Sequence, residues 1–514
     1  MNIREVKEEI TNALNAYHIK DEYGNYLYPV RQQRPILLMG PPGIGKTAIM
    51  EQIASECDVG LVSYTITHHT RQSAVGLPEI IQKSYHGESF SVTEYTMSEI
   101  VASVYECIER TGKTEGILFI DEINCVSETL TPTMLQFLQK KMFGSHKIPE
   151  GYLIVAAGNP IEYNRTAREF DIVTLDRVRC ISIEPDLKCW MQYAANQGIH
   201  GAVLSYLRIR ENDFYYIDLK EDKNIFVTAR GWEDLSEMIA IYERMGYEIT
   251  LQQVSQFIHE KEIAGSFTAY YRLYRKYQLD YSIVELMNSS LNEQAKRNLS
   301  KLADAALLEE RMTVAGMILD TILQCFQKYH QTDAYVVNLY EKLIFLKGKL
   351  KAEDKDTLVK VEEFIKKQKE ILKIKLDTGI IAEEQVRAER YAIAKLEEYF
   401  LYLKKEHIWN AEEIYVNLKS FFQKEVQKRE QAVQTCSAYL ERGIHAVDML
   451  FGKGAELTML LSEILDNAYA MDYICRFGSA VFLEFTSDLI GEEKGRELQQ
   501  ECRKYLVQSH KGEI

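Results

Sequence analysis

Proline is missing from the long stretch after Pro185: all nine prolines fall between Pro29 and Pro185. Proline breaks helix interiors and central strands alike. The first part of the chain is therefore loop-punctuated and mixed, and the rest is free to form long helices. A Cys-x-x-Cys pair is also missing. The nine cysteines, an odd number scattered from Cys57 to Cys502, offer no disulfide framework and no zinc-ligand spacing, which fits reduced thiols in a cytoplasm. No apolar run approaches the length that spans a bilayer. Met1-Asn2-Ile3-Arg4-Glu5-Val6 carries no signal-peptide core. The expectation is a cytoplasmic chain without membrane insertion. Nor is there a basic excess: 61 Lys and Arg stand against 76 Asp and Glu, a net charge of −15. That counts against nucleic acid or an anionic membrane as the main partner, since both call for a positive field.

What is present centres on one stretch. Ile36-Leu37-Leu38-Met39 reads as a buried strand, Gly40-Pro41-Pro42-Gly43-Ile44-Gly45-Lys46-Thr47 as a glycine-rich turn, and Ala48, Ile49, Met50, Ile53 and Ala54 as the start of a helix. This is G-x-x-x-x-G-K-[ST] in its strand–helix context. The glycines let successive N–H groups turn toward phosphate oxygens, and the helix offers its positive end to the same anion. Lys46 can reach the β- and γ-phosphates, and the Thr47 hydroxyl can ligate Mg²⁺. The nucleotide-binding residues are thus Gly40 to Ala48.

Further strands deliver polar groups to their tips. Val59 to Thr67 reads as a second strand leading to His68 and His69. Adjacent histidines point in different directions and have no third ligand here, so they read as polar loop residues rather than a metal site. Two β-prone runs flanking His86-Gly87 predict a hairpin, and Met97 to Arg110 a helix. Gly116-Ile117-Leu118-Phe119-Ile120-Asp121-Glu122 predicts a buried strand ending in two carboxylates, at the edge where ligands of parallel sheets bind. Asp121 can hold Mg²⁺ through water, and Glu122 can orient or deprotonate the attacking water. A helix from Pro132 to Lys141 and a second hairpin from Met142 precede the strand Leu153 to Gly158. Asn159 stands at its tip, placed to hold water near the γ-phosphate or to cap the turn before Pro160.

In the order Gly40 to Thr47, Ile117-Leu-Phe-Ile-Asp-Glu122, Ala156-Ala-Gly-Asn-Pro160 and Leu175-Asp-Arg177, the chain resembles an AAA+ ATPase. The two hairpins resemble the helix-2-insert and pre-sensor hairpins of the MoxR-type branch. The resemblance covers roughly residues 1 to 280. It implies that Asn159 is the sensor 1 residue. It implies that Arg177, or Arg179 two residues on, enters the neighbouring subunit's site and neutralises charge on the transferred phosphoryl group. It also implies that Arg230, near the start of a lid helix, reaches the γ-phosphate as sensor 2. Such a finger implies a ring, commonly a hexamer. Relatives of this branch are associated with maturing or assembling protein complexes, often with a partner carrying a von Willebrand factor A domain.

The expected fold is an α/β P-loop core with a parallel sheet and inserted hairpins over 1–185, a helical lid over 186–290, and a helical domain over 291–514. In the last, Leu308, Met312, Ala315, Leu319, Ile322, Phe326 and Tyr329 repeat at helical spacing, as do Val336, Leu339, Leu343, Leu346 and Leu350, and Ile393, Leu396, Phe400 and Leu403. These repeats predict an antiparallel bundle. Lys366, Lys367, Lys369, Lys373 and Lys375 read as a solvated helix face, and Phe451-Gly452-Lys453-Gly454 as a helix break. The leading functional expectation is a ring-forming protein-remodelling ATPase using ATP and Mg²⁺, with ATP versus GTP left open. The alternatives are a nucleic-acid motor or restriction-type NTPase, and a non-hydrolysing nucleotide switch.

Overall fold

Alternation along three short strands decides where the first core lies. In the computed structural model, which describes residues 1–68, 76–86, 88–143, 145–164, 166–220, 223–349, 357–377 and 383–490, helix α1 (Ile3–His18) precedes strand β1 (Ile36–Met39), helix α2 (Lys46–Glu56) and strand β2 (Gly60–Thr65). An antiparallel hairpin of β3 (Pro78–Tyr85) and β4 (Glu88–Tyr95) then leads to α3 (Glu99–Thr111) and β5 (Gly116–Asp121). Next come α4 (Thr131–Lys140), the short hairpin β6 (Met142–Phe143) and β7 (His146–Lys147), β8 (Tyr152–Gly158), α5 (Ile172–Leu175) and β9 (Arg179–Ser182). Five strands form one parallel sheet in the order β2-β5-β8-β1-β9.

Side chains alternate across a strand, and both faces of a parallel sheet are covered. Ile36 and Leu38, Ile117 and Phe119, and Leu153, Val155 and Ala157 point to one face. There they meet Val6, Ile10 and Leu14 of α1 and Ile49, Met50 and Ile53 of α2. Leu37, Leu118, Ile120, Ile154 and Ala156 point to the other and meet Val101 and Val104 of α3 and Met134 and Phe137 of α4. Each of the Val, Leu, Ile, Met and Phe side chains among these contributes about 1.5–3 kcal/mol on burial. Asn2 starts α1 through a reciprocal capping box with Glu5, which satisfies two otherwise orphaned N–H donors.

The chain divides into two compact units: residues 1–186 with 366–387, and residues 187–365 with 388–514. The second opens with α6 (Leu187–Gln197) and α7 (Gly201–Ile209), followed by a two-stranded ribbon of β10 (Tyr216–Lys220) and β11 (Lys223–Val227). The helical pattern expected from Asp186 onward is interrupted by this ribbon. Its strands are rich in aromatic and β-branched residues, which favour a pleated surface over a helix. Then follow α8 (Ala229–Met245), α9 (Leu251–Val254), α10 (Lys261–Asp280), α11 (Ile283–Met287), α12 (Glu293–Asp304) and α13 (Leu308–Lys349). The chain continues through α14 (Thr357–Asp377), α15 (Glu383–Lys405), α16 (Ala411–Phe451), α17 (Ala455–Asp466), α18 (Ala468–Phe477) and α19 (Ala480–Ile490).

The first two repeats read from the sequence lie on the single 42-residue helix α13, although Leu350 lies outside the described residues. Helix α16 stops at Phe451, with Gly452 in a positive-φ conformation (71°), where the glycines predict a break. Lys366, Lys367, Lys369 and Lys373 are exposed on α14. One apolar core runs through the second unit from Trp190 through Trp232, Phe267 and Ile318 to Ile444, Tyr473 and Phe485. Helices on both sides of residue 290 share it. A smaller cluster joins Tyr335, Val336 and Ala388, with Phe422 and Val426 packed on it.

Candidate nucleotide site

The loop after β1 is shaped by its glycines. Gly43 (φ 72°) and Gly45 (φ 91°) adopt left-handed conformations, which cost a side-chain-bearing residue strain. Gly40 is needed for a different reason. A Cβ there would lie 2.9 Å from both Ile183 Cβ and Ile44 Cδ1. Gly45 is the N-cap of α2, so the helix presents its first N–H groups to the loop's interior. Lys46, the first residue of α2, is 8% exposed. Its Nζ donates to the carbonyls of Gly40 (2.7 Å) and Pro41 (2.9 Å) and to Oδ1 of Asn159 (2.8 Å). The tips of β1 and β8 are thereby tied by one ammonium.

Asp121 ends β5, and its Oδ2 accepts from the Thr47 hydroxyl at 3.2 Å. Its Oδ1 accepts from the backbone N–H of Glu122 at 2.9 Å. Glu122 itself has φ 56°, an uncommon conformation for a residue with a side chain and often a mark of function. Its Oε2 accepts from the Thr67 hydroxyl at 3.0 Å. Below this layer Asn124, 3% exposed, donates from Nδ2 to the carbonyl of Asn159 at 2.7 Å. A Cβ on Gly158 would sit 2.6 Å from Asn124 Oδ1, so that glycine leaves room for the bridge. From sequence, Thr67 reads only as a strand end, and neither it nor Asn124 takes a site role. The Thr67–Glu122 bond spans 55 residues and connects two loops, so no periodicity announces it.

The structure thus brings Lys46, Thr47, Asp121, Glu122 and Asn159 together at the carboxyl ends of β1, β5 and β8. The paired hydroxyl and carboxylate of Thr47 and Asp121 are hard oxygen donors of the kind Mg²⁺ takes beside phosphate. Among the described residues no group of three or more His, Cys, Asp or Glu is arranged to hold a metal. The side chain of His68 and all of His69 lie outside the described residues.

The arginines separate. Arg179, on β9, pairs with Glu9 of α1, so its guanidinium is engaged within its own unit. Arg177 is exposed, with Asp171 as a charge neighbour, and follows a short helix whose Ile172 (85%) and Val173 (56%) are open to solvent. Arg230 is exposed in the first turn of α8, which Thr228 caps by accepting from the N–H of Gly231 at 3.2 Å. It belongs to the second unit.

A phosphate-cradling loop, a hydroxyl–carboxylate pair and a polar strand tip on a five-stranded parallel sheet define a P-loop nucleotide-binding class. Within that class, residues 36–173 match the family described as ATPase family associated with various cellular activities (AAA). The chain is 26% identical over 166 residues to a Dictyostelium discoideum protein named as a ribosome biogenesis ATPase, covering 30% of this chain and 16% of that one. It is 27% identical over 124 residues to a proteasome-activating nucleotidase of Methanopyrus kandleri, covering 24% of this chain and 22% of that one. The chain therefore spans about a fifth of the length of these relatives. A solved structure titled as an ATPase of Cytophaga hutchinsonii aligns at 12% identity and a TM-score of 0.23, over 50% of this chain and 85% of that one. At that score it carries no argument.

Proposed function

We propose that the chain hydrolyses ATP and uses the cycle to remodel a protein partner, as a ring-forming ATPase of the MoxR-type branch. The observation that carries the hydrolytic part is the convergence of Lys46, Thr47, Asp121, Glu122 and Asn159 on one sheet edge. Lys46 stabilises charge on the β- and γ-phosphates. Mg²⁺, held by Thr47 and Asp121, would supply charge neutralisation between those phosphates. Glu122 orients and deprotonates the attacking water. The Thr67 hydroxyl fixes the Glu122 carboxylate, and Asn159 contacts the γ-phosphate from the β8 tip.

The branch assignment is supported by two hairpins at the expected places, β3–β4 before the Asp-Glu strand and β6–β7 before the Asn159 strand. Arg230 is assigned to the γ-phosphate from its place in the family pattern, and Arg177 to the site of a neighbouring copy. A ring, of six copies by family precedent, follows from the second assignment. A cytoplasmic setting is in keeping with the absence of any disulfide among the described cysteines and with the lack of any described helix long and apolar enough to cross a membrane. The shared core of the second unit is in keeping with the lid and the later helices acting as one body.

Turnover of ATP and GTP by purified chain, compared with Glu122→Gln, tests the reading. The variant should bind nucleotide at near wild-type affinity and turn it over at least about 100-fold more slowly. Affinity capture with the same variant in ATP should retain a protein partner, with a von Willebrand factor A domain protein as the first candidate. Unchanged turnover in Glu122→Gln would remove the assignment of the base. Recovery of nucleic acid in place of protein would favour a nucleic-acid motor.

A further inference from the structure

Helices α13 and α16 run antiparallel along one seam, and contacts along it fix the register. The Tyr335 hydroxyl donates to Glu425 Oε2 at 2.8 Å, and Asp333 pairs with Arg429. Gly443, about two turns past Cys436, lies against Ile318, about two turns before Cys325. A Cβ at Gly443 would stand 3.2 Å from Ile318 Cγ2, so the backbones approach closely there. Between these points Cys325 and Cys436 face each other. The Cys436 thiol donates to the Cys325 carbonyl at 3.2 Å, and the two thiols also hydrogen-bond to each other. Sulfurs that are already neighbours across closely packed helices meet the first requirement of a disulfide.

The two cysteines are not alike. Cys436 is 1% exposed, whereas Cys325 is half-buried. The hydrogen bond from Cys436 favours the Cys325 thiolate and, against burial and with help from the charge of Lys328, holds its pKa below the usual thiol value. The same bond, together with burial, raises the Cys436 thiol. Burial pushes the thiols of Cys57, Cys125 and Cys180 up as well. The thiolate is the form that attacks an electrophile. A partly accessible, thiolate-prone cysteine beside a second thiol is the arrangement of peroxide-sensitive sites.

We propose that Cys325 is an oxidation site for a hydroperoxide, with Cys436 as its resolving thiol, and that the product is a disulfide stapling α13 to α16. In the first step the Cys325 thiolate attacks a peroxide oxygen. An S–O bond forms, the O–O bond breaks, and hydroxide or alkoxide leaves. The sulfur has lost two electrons and is a sulfenic acid, and the peroxide is reduced. In the second step the Cys436 sulfur attacks the Cys325 sulfur. The S–S bond forms, the S–O bond breaks, and the Cys436 proton leaves with the hydroxyl group as water. A dithiol reverses the change by thiol–disulfide exchange, and a transient, redox-sensing disulfide is the kind that a reducing compartment admits. Both cysteines belong to the second unit, and the site is independent of the nucleotide assignment.

The test treats the reduced full chain with hydrogen peroxide, blocks the remaining thiols with N-ethylmaleimide and maps unreduced peptides by mass spectrometry. The Cys325–Cys436 cross-link should be the dominant disulfide and should be reversed by dithiothreitol. The oxidised chain should unfold at higher urea concentration than the reduced one, because the staple constrains the unfolded ensemble. In Cys436→Ser, whose hydroxyl keeps a donor, the cross-link should vanish. Dimedone should then label Cys325 at least about tenfold more than in wild type, since nothing consumes the sulfenic acid. Unfolding in urea before treatment should scatter the pairing. A dominant disulfide between any other pair would overturn the proposal, as would a cross-link no more abundant in the native than in the unfolded chain. So would the absence of the cross-link once the exposed Cys180 is oxidised, or dimedone label falling chiefly on other cysteines in Cys436→Ser. The wild-type map needs no variant, so it decides even if Cys436→Ser does not fold.

Discussion

Burial pushes the Asp320 carboxyl up to about 6 from the ordinary aspartate value of 3.8, against the pull of Arg208. Between those two values the folded chain holds a proton that the unfolded chain releases. Stability contributed by this group therefore falls as pH rises through that window. Asp320→Asn has nothing to titrate, so its urea midpoint should lose that part of the slope between about pH 4 and 6. A slope equal to wild type would mean that water solvates Asp320. At this same scale the candidate nucleotide site was unevenly legible. Lys46, Thr47, Asp121, Glu122 and Asn159 stand in a motif or at the end of an apolar run, so their neighbours in sequence point to them. Thr67 and Asn124 act through single hydrogen bonds to distant residues. The pairing of Arg179 with Glu9 likewise joins residues far apart in the chain.

At the scale of elements, the parallel sheet was readable because strands covered on both faces are continuous apolar runs, and glycine, proline or acids mark their ends. The β10–β11 ribbon was not, because its short strands mix apolar residues with charged and polar ones and form no continuous apolar run. Helix crossings carry even less sequence signature. Gly443 of α16 lies against Ile318 and Ile322 of α13, and a Cβ there would fall inside the van der Waals envelope of the Ile322 side chain. Gly443→Ala gains helix propensity of up to about 1 kcal/mol but overpacks the crossing by about 1–3 kcal/mol. The net expectation is a lower urea midpoint, with Ile322→Val restoring part of the loss in the double variant. A more stable single variant would show that the helices separate freely.

For the molecule as a whole, the position of Arg177 makes a prediction about mixed assemblies. If it serves a neighbour's nucleotide, Arg177→Ala and Lys46→Ala chains should each turn over nucleotide at least about tenfold more slowly than wild type. Mixed together, they should recover activity, because some interfaces then pair an intact loop with an intact arginine. Mixtures no faster than the sum of their parts would place the arginine's work within its own chain. The long helices of the second unit bear on what any such cycle can transmit. Helices α13 and α16, of 42 and 41 residues, each extend about 60 Å. Both contribute to the main core and to the smaller cluster at Tyr335 and Val336. Neither contains a proline to interrupt its hydrogen-bond ladder. A pair of struts bonded along their length resists bending, so a small tilt applied at the body would be delivered at the far end as a sweep enlarged by the length of the lever.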